Sequence, residues 1–102
     1  MNAITKPENA AISRATLELT VANHAGVMTH VVGLFSRRAY NVDGILVMPV
    51  GDATESRIWL LVNEDSRLAN MIRQLEKLED VRAVRHHAGQ HDVFVQVAKF
   101  FE

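Results

Sequence analysis

The apolar residues of this chain switch between two spacings, twice in each direction, and that succession limits the fold more than any single residue does. In "TLELTV", Leu17, Leu19 and Val21 alternate with Thr16, Glu18 and Thr20, the period-two pattern of a half-buried strand. Asn23 to Gly26 interrupt it. From Val27 onward Met28, Val31, Val32, Phe35 and Ala39 recur at helical spacing, with Val27 and Leu34 widening the same face and Thr29, His30, Gly33, Ser36 and Arg37 opposite. "VDGILVMPV" then predicts a strand that Gly44 bends and Pro49 ends, because proline donates nothing to a ladder. A polar turn, Gly51 to Ser56, leads into "RIWLLVN", apolar on both faces and so central or covered on its second face. Asp65 or Ser66 is placed to cap a second helix, in which Leu68, Met71, Ile72, Leu75 and Leu78 keep i, i+3, i+4 spacing. "VRAVRHH" reads as a fourth strand, and "DVFVQVAKFF" alternates again as a fifth strand or a docking tail.

Strand, helix, strand, strand, helix, strand is the order of an α+β, ferredoxin-like βαββαβ domain. Two helices on one face of a four-stranded antiparallel sheet bury the apolar sides of both layers. The chain's 102 residues suit one domain, expected at residues 15–88 between a flexible tail (1–14) and a strand-like extension (89–102). A hydrophobic content of 48% is too high for a disordered chain, and no apolar run approaches the roughly 18–20 residues of a membrane span. The polar start, "MNAITKPENAAISRA", has no signal-peptide core. Cysteine is absent, which excludes disulfides and thiolate metal sites and fits a cytoplasmic setting. A net charge of −1 gives no general reason to bind nucleic acid or an anionic membrane.

The candidate site is the loop Asn23-His24-Ala25-Gly26. The first N–H groups of a helix have no intrahelical partner and carry the positive end of its dipole, so a carboxylate can bind the amides from Ala25 through Gly26 and Val27 to Met28. Gly26 permits close approach and positive φ. Asn23 both donates and accepts, matching the two ends of a zwitterionic amino acid. The simpler reading is structural: Asn23 caps the helix and Gly26 eases the turn. Asn41, at the helix exit, equally suits a left-handed helix end. A fold or a dimer bringing the first two strands together would let Asn23 and Asn41 face one ligand.

Other residues point less clearly to chemistry. Adjacent His86 and His87 face opposite sides of a strand, so with His24, His30 and His91 they read as surface histidines rather than metal ligands. Arg37, Arg38, Arg82 and Arg85 read as a solvated face, or as contacts for an acidic protein. No nucleophile triad, carboxylate pair or phosphate-cradling glycine loop is evident, so the chain is expected not to be an enzyme.

"LELTVANHAGVMTHVVGLFSRRAYNVDGILVMP", "RIWLLVN" and "MIRQLEKLEDV" together resemble the ACT-domain regulatory small subunits of acetolactate synthase (acetohydroxyacid synthase), in their short, single-domain isozyme I form. The resemblance spans about Leu17 to Val84. It implies a non-catalytic subunit that docks on a large catalytic subunit, raises its activity and transmits feedback inhibition by valine. Thiamine diphosphate, FAD and magnesium would belong to the catalytic subunit, and no cofactor to this chain. In the family, valine lies between two ACT domains, which implies a homodimer here. Its site would comprise Asn23 and the Ala25, Gly26, Val27 and Met28 backbone of one chain, with Asn41 and Val42 of the other. Ala25 stands where many ACT domains have proline. The alternatives are a free-standing ACT-type amino-acid sensor and an RNA-binding βαββαβ module. The latter should show stacking aromatics on its central strands, where only Trp59 is available. The absence of cysteine excludes ferredoxin proper.

Overall fold

A computed structural model describes residues 13–102. The expected N-terminal tail lies outside the described residues except at its end, where Arg14 already opens the first strand. Four strands, β1 (Arg14–Ala22), β2 (Val42–Val50), β3 (Glu55–Asn63) and β4 (Val81–Ala88), form one antiparallel sheet in the order β2-β3-β1-β4. Helices α1 (Val27–Arg37) and α2 (Leu68–Glu76) make the two crossovers. This is the expected ferredoxin-like arrangement.

The alternation in β1 and β3 sends Leu17, Leu19 and Val21, with Ile58, Leu60 and Val62, to one face of the sheet. There they meet Val31, Leu34 and Phe35 of α1 and Leu68, Met71 and Leu75 of α2, all buried in one cluster. Full burial of such a side chain is worth about 1.5–3 kcal/mol, so this layer carries most of the domain's cohesion. Tyr40 joins it from the α1–β2 connection. Its ring packs edge-on against Phe35, its hydroxyl donates to the Asn63 carbonyl at 2.5 Å, and the Arg67 guanidinium lies 4.5 Å above it.

Three expectations need correction. Residues 89–102 are not strand-like: Asp92–Ala98 form a third helix, α3, followed by a 3-10 turn at Lys99–Phe101. Val93, Val95 and Val97 alternate, but Phe94, Val97, Ala98 and Phe101 also recur at helical spacing, and tertiary contact decides between the two. His91 Nδ1 caps the helix by accepting from the Val93 N–H, and Phe94 is buried beside Gly44 and Leu61. Thus α3 covers part of the second sheet face, which is why "RIWLLVN" is apolar on both sides. Next, Pro49 does not end β2. The strand continues to Val50 because β2 lies at the edge, where a missing donor is tolerated. Finally, the left-handed residue after α1 is Ala39 (φ 54°), so Ala39 is not on the helix and Asn41 does not cap it. Near Gly44 the pairing register with β3 shifts, between Val42 and Gly44.

Candidate functional site

The loop from β1 to α1 emerges at the end of the sheet that also holds the β2–β3 turn. Asn23 is fixed there twice: its N–H donates to the Thr54 carbonyl at 3.0 Å, and its side-chain Nδ2 donates to the Ala53 carbonyl at 2.7 Å. Asn23 therefore does not cap α1. With Nδ2 committed to a carbonyl, its Oδ1 remains an acceptor.

Gly26 immediately precedes the helix with φ 94° and ψ −16°, left-handed, and nothing lies within 4 Å of where a Cβ would stand. This glycine is needed for its backbone conformation and leaves open space beside the loop. Among the described residues the helix start is unserved: no side chain caps it and no acidic residue occupies its first turn. Helix α2 likewise starts without a side-chain cap or an acid in its first turn, so neither Asp65 nor Ser66 caps it. Asp65 instead accepts the Arg67 N–H at 2.8 Å just before the helix, and α3 has the His91 cap. Among the described residues, the Val27 N–H reaches back to the His24 carbonyl at 3.4 Å, and the amides of Ala25, Gly26 and Met28 form no hydrogen bond. Unpaired donors at the positive end of a helix suit an anion.

Sequence reasoning treated the histidines as bland and missed the ion network under this loop. His24 Nε2 lies 2.7 Å from Asp80 Oδ1, and His30 Nδ1 lies 3.3 Å from Asp80 Oδ2. Hydrogen bonding to Asp80, and then to the Ala25 carbonyl, holds the His24 imidazolium above its ordinary range, and the same bond from His24 holds the Asp80 carboxyl low. A second network lies on the other sheet face, where Trp59 stacks with His87 and contacts His91, and His87 pairs with Glu18 at 2.9 Å. His86 points elsewhere, towards Glu64. No cluster of three His, Cys, Asp or Glu side chains suited to a metal ion occurs among the described residues.

Asn41 and Val42 lie at the opposite end of the sheet. Val42 pairs with Val62, whereas Ala22 pairs with Glu55, seven residues away along β3. At roughly 3.3 Å per residue that is about 23 Å, so Asn23 and Asn41 of one chain do not face one ligand. Asn41 donates through Nδ2 to Asp43 at 2.6 Å. The arginines do not form one patch either: Arg37 and Arg38 end α1, while Arg82 pairs with Glu55 near the loop end of the sheet. No helix among the described residues is long and apolar enough to cross a membrane.

Comparison with known proteins identifies the family of the chain. A family model described as "AHAS small subunit-like ACT domain" matches residues 17–83. The chain belongs to the acetolactate synthase small-subunit family. Within it, the Escherichia coli K12 acetolactate synthase isozyme 1 small subunit is 53% identical over 95 residues, covering 93% of this chain and 99% of that one. The isozyme 3 small subunit of the same strain is 38% identical over 72 residues, 70% of this chain and 44% of its own length. The crystal structure of the family member from Thermotoga maritima, also an acetolactate synthase small subunit, superposes with a TM-score of 0.65. It is 31% identical and covers 72% of this chain and 46% of that one. The matched region holds both crossovers and the loop at Asn23–Gly26, and stops before α3.

Proposed function

We propose that this chain is the regulatory subunit of an acetolactate synthase, acting in the cytoplasm in branched-chain amino-acid synthesis. It activates a large catalytic subunit and confers feedback inhibition by L-valine. It performs no catalysis, and thiamine diphosphate, FAD and magnesium belong to its partner. The observation that carries the effector site is the open start of α1: amides left free beside a left-handed Gly26, with no side chain or acid among the described residues competing for them. In this reading the valine carboxylate takes those amides and its ammonium meets Asn23 Oδ1.

The second half of the site comes from another copy of the chain. Among the described residues strand β2 is an unpaired edge carrying Ile45, Val47 and Met48, the last 69% exposed. Antiparallel pairing of two such edges joins two sheets and covers this apolar surface. It also carries Asn41 and Val42 of one copy to the end of the joined sheet where the other holds Asn23. Valine that binds across this interface inhibits by favouring one state of the complex over another. One methylene is worth only about 1–3 kcal/mol in an apolar pocket, so isoleucine and leucine bind as well, less tightly.

The test is a calorimetric titration of the purified chain with L-valine, with D-valine and L-threonine as controls. Saturable heat specific for L-valine and lost in Asn41→Ala is expected, with Asn23→Ala weakening it and leaving circular dichroism unchanged. Absence of heat at millimolar L-valine refutes sensing by this chain. Failure to co-purify with a large catalytic subunit would make it a free-standing sensor.

A further inference from the structure

We propose that His24 is the positioning residue of the effector loop and works as the imidazolium, so that effector binding is linked to one proton. This rests on the valine reading above. Both ring nitrogens of His24 face acceptors: Nδ1 lies 2.6 Å from the Ala25 carbonyl oxygen and Nε2 lies 2.7 Å from Asp80 Oδ1. A neutral imidazole has one N–H and would turn a lone pair towards one of them. The doubly protonated ring satisfies both, whichever tautomer it would otherwise take.

The contact with Ala25 has a directional consequence. A trans peptide is planar, with its C=O and N–H pointing opposite ways. Holding the Ala25 carbonyl against the His24 ring therefore aims the Gly26 N–H away from it, and that N–H is one of the unpaired donors. His24 thus orients a ligand-facing amide without touching the ligand. Asp80 is itself anchored, since its backbone carbonyl accepts from the Ala22 N–H at 2.9 Å and its Oδ2 reaches His30 in the first turn of α1. The end of β1, the loop, the start of α1 and the turn before β4 are joined through one residue, Asp80: the strand by its backbone carbonyl, the loop and helix by its carboxylate.

The neighbouring charges leave this arrangement to Asp80 and His30. Arg82 on β4 is paired with Glu55, Asp52 in the β2–β3 turn accepts from Thr54, and Glu79 is exposed beside Asp80. His24 is held protonated above the ordinary imidazole value of 6.5 and Asp80 ionised below the usual 3.8. The lock is complete between those limits. It is lost as pH rises through the raised His24 value, and again as pH falls through the lowered Asp80 value.

The experiment measures L-valine affinity by calorimetry from pH 6 to 8.5 and follows the His24 ring by NMR, in wild type and Asp80→Asn. The wild-type affinity should be level at the acid end and then weaken by up to about tenfold per pH unit above the His24 midpoint, the slope of one linked proton. Saturating valine should raise that midpoint, as linkage requires. Asp80→Asn should lower the midpoint towards the ordinary value, weaken binding several-fold at pH 6.5 and shift the affinity loss to lower pH. It also controls for titration of the ligand's own ammonium. Binding that is level with pH in the wild type, or a variant keeping the wild-type profile, overturns the role of His24 and leaves the valine site standing. No heat with L-valine at any pH overturns the site itself and this linkage with it.

Discussion

Replacing Gly44 by alanine tests whether Phe94 holds α3 on the sheet. The backbone at Gly44 is outside the left-handed region, so alanine costs nothing in conformation and would by entropy gain roughly 0.5–1 kcal/mol. Against this, the new Cβ would stand 2.8 Å from Phe94 Cε1 and 3.2 Å from Cδ1, with Leu61 Cβ behind it at 3.4 Å. The ring must move, and Phe94 is the one buried residue of α3. Overpacking of this kind costs about 1–3 kcal/mol, which set against that gain leaves a net loss of up to about 2.5 kcal/mol. The mechanism is isolated by adding Phe94→Ala: without the ring, the methyl group introduced by Gly44→Ala keeps only the Leu61 Cβ contact at 3.4 Å, and the substitution should become neutral or slightly stabilising. The assay is urea unfolding of the four proteins at one fixed concentration, with a coupling of about 1–3 kcal/mol expected between the sites. Additivity within about 0.5 kcal/mol would refute the contact, and with it the account of why the C-terminal segment is helical.

Two further substitutions address the core and the sheet edge. Tyr40→Phe removes the donor to the Asn63 carbonyl while keeping the ring under Arg67; it should cost about 1–2 kcal/mol, and an unchanged thermal midpoint would discount that bond. Val47→Lys places a charge on the β2 edge where Val47 is 38% exposed; sedimentation should then show a shift from dimer to monomer with the far-ultraviolet spectrum retained, whereas an unaltered mass would remove this edge from the interface.

The layered core was legible because its signal is local. Leu17, Leu19 and Val21, then Val31 and Phe35, declare their faces through spacing alone, and only one compact arrangement buries them all. The C-terminal segment was not, because Val93 to Val97 satisfy both periods and the seat for Phe94 is made by Gly44, fifty residues earlier. The end of α1 was misassigned for a different reason. Asparagine is the expected left-handed residue, but burial of Tyr40 makes the chain turn two positions sooner, at Ala39, and alanine bears the strain. At the loop, spacing exposed the open amides and the glycine, and left the job of Asn23 undecided between cap and ligand. The His24–Asp80 pair spans 56 residues and has no local mark. It was still within reach, since antiparallel pairing of β1 with β4 forces the residues after β1 beside those before β4.

Pro49 sets a length limit on whatever lies along β2. A strand added to this edge draws on the outward N–H and C=O groups between Val42 and Met48, and the ladder loses its next donor at the proline. For two antiparallel copies, the two prolines fall at opposite ends of the shared ladder, which centres the pairing near Ile45 and Leu46. A slip that carries Pro49 inwards forfeits hydrogen bonds, so sliding is resisted. Once the two β2 edges occupy each other, neither remains to recruit a third chain, and growth along this edge closes at two.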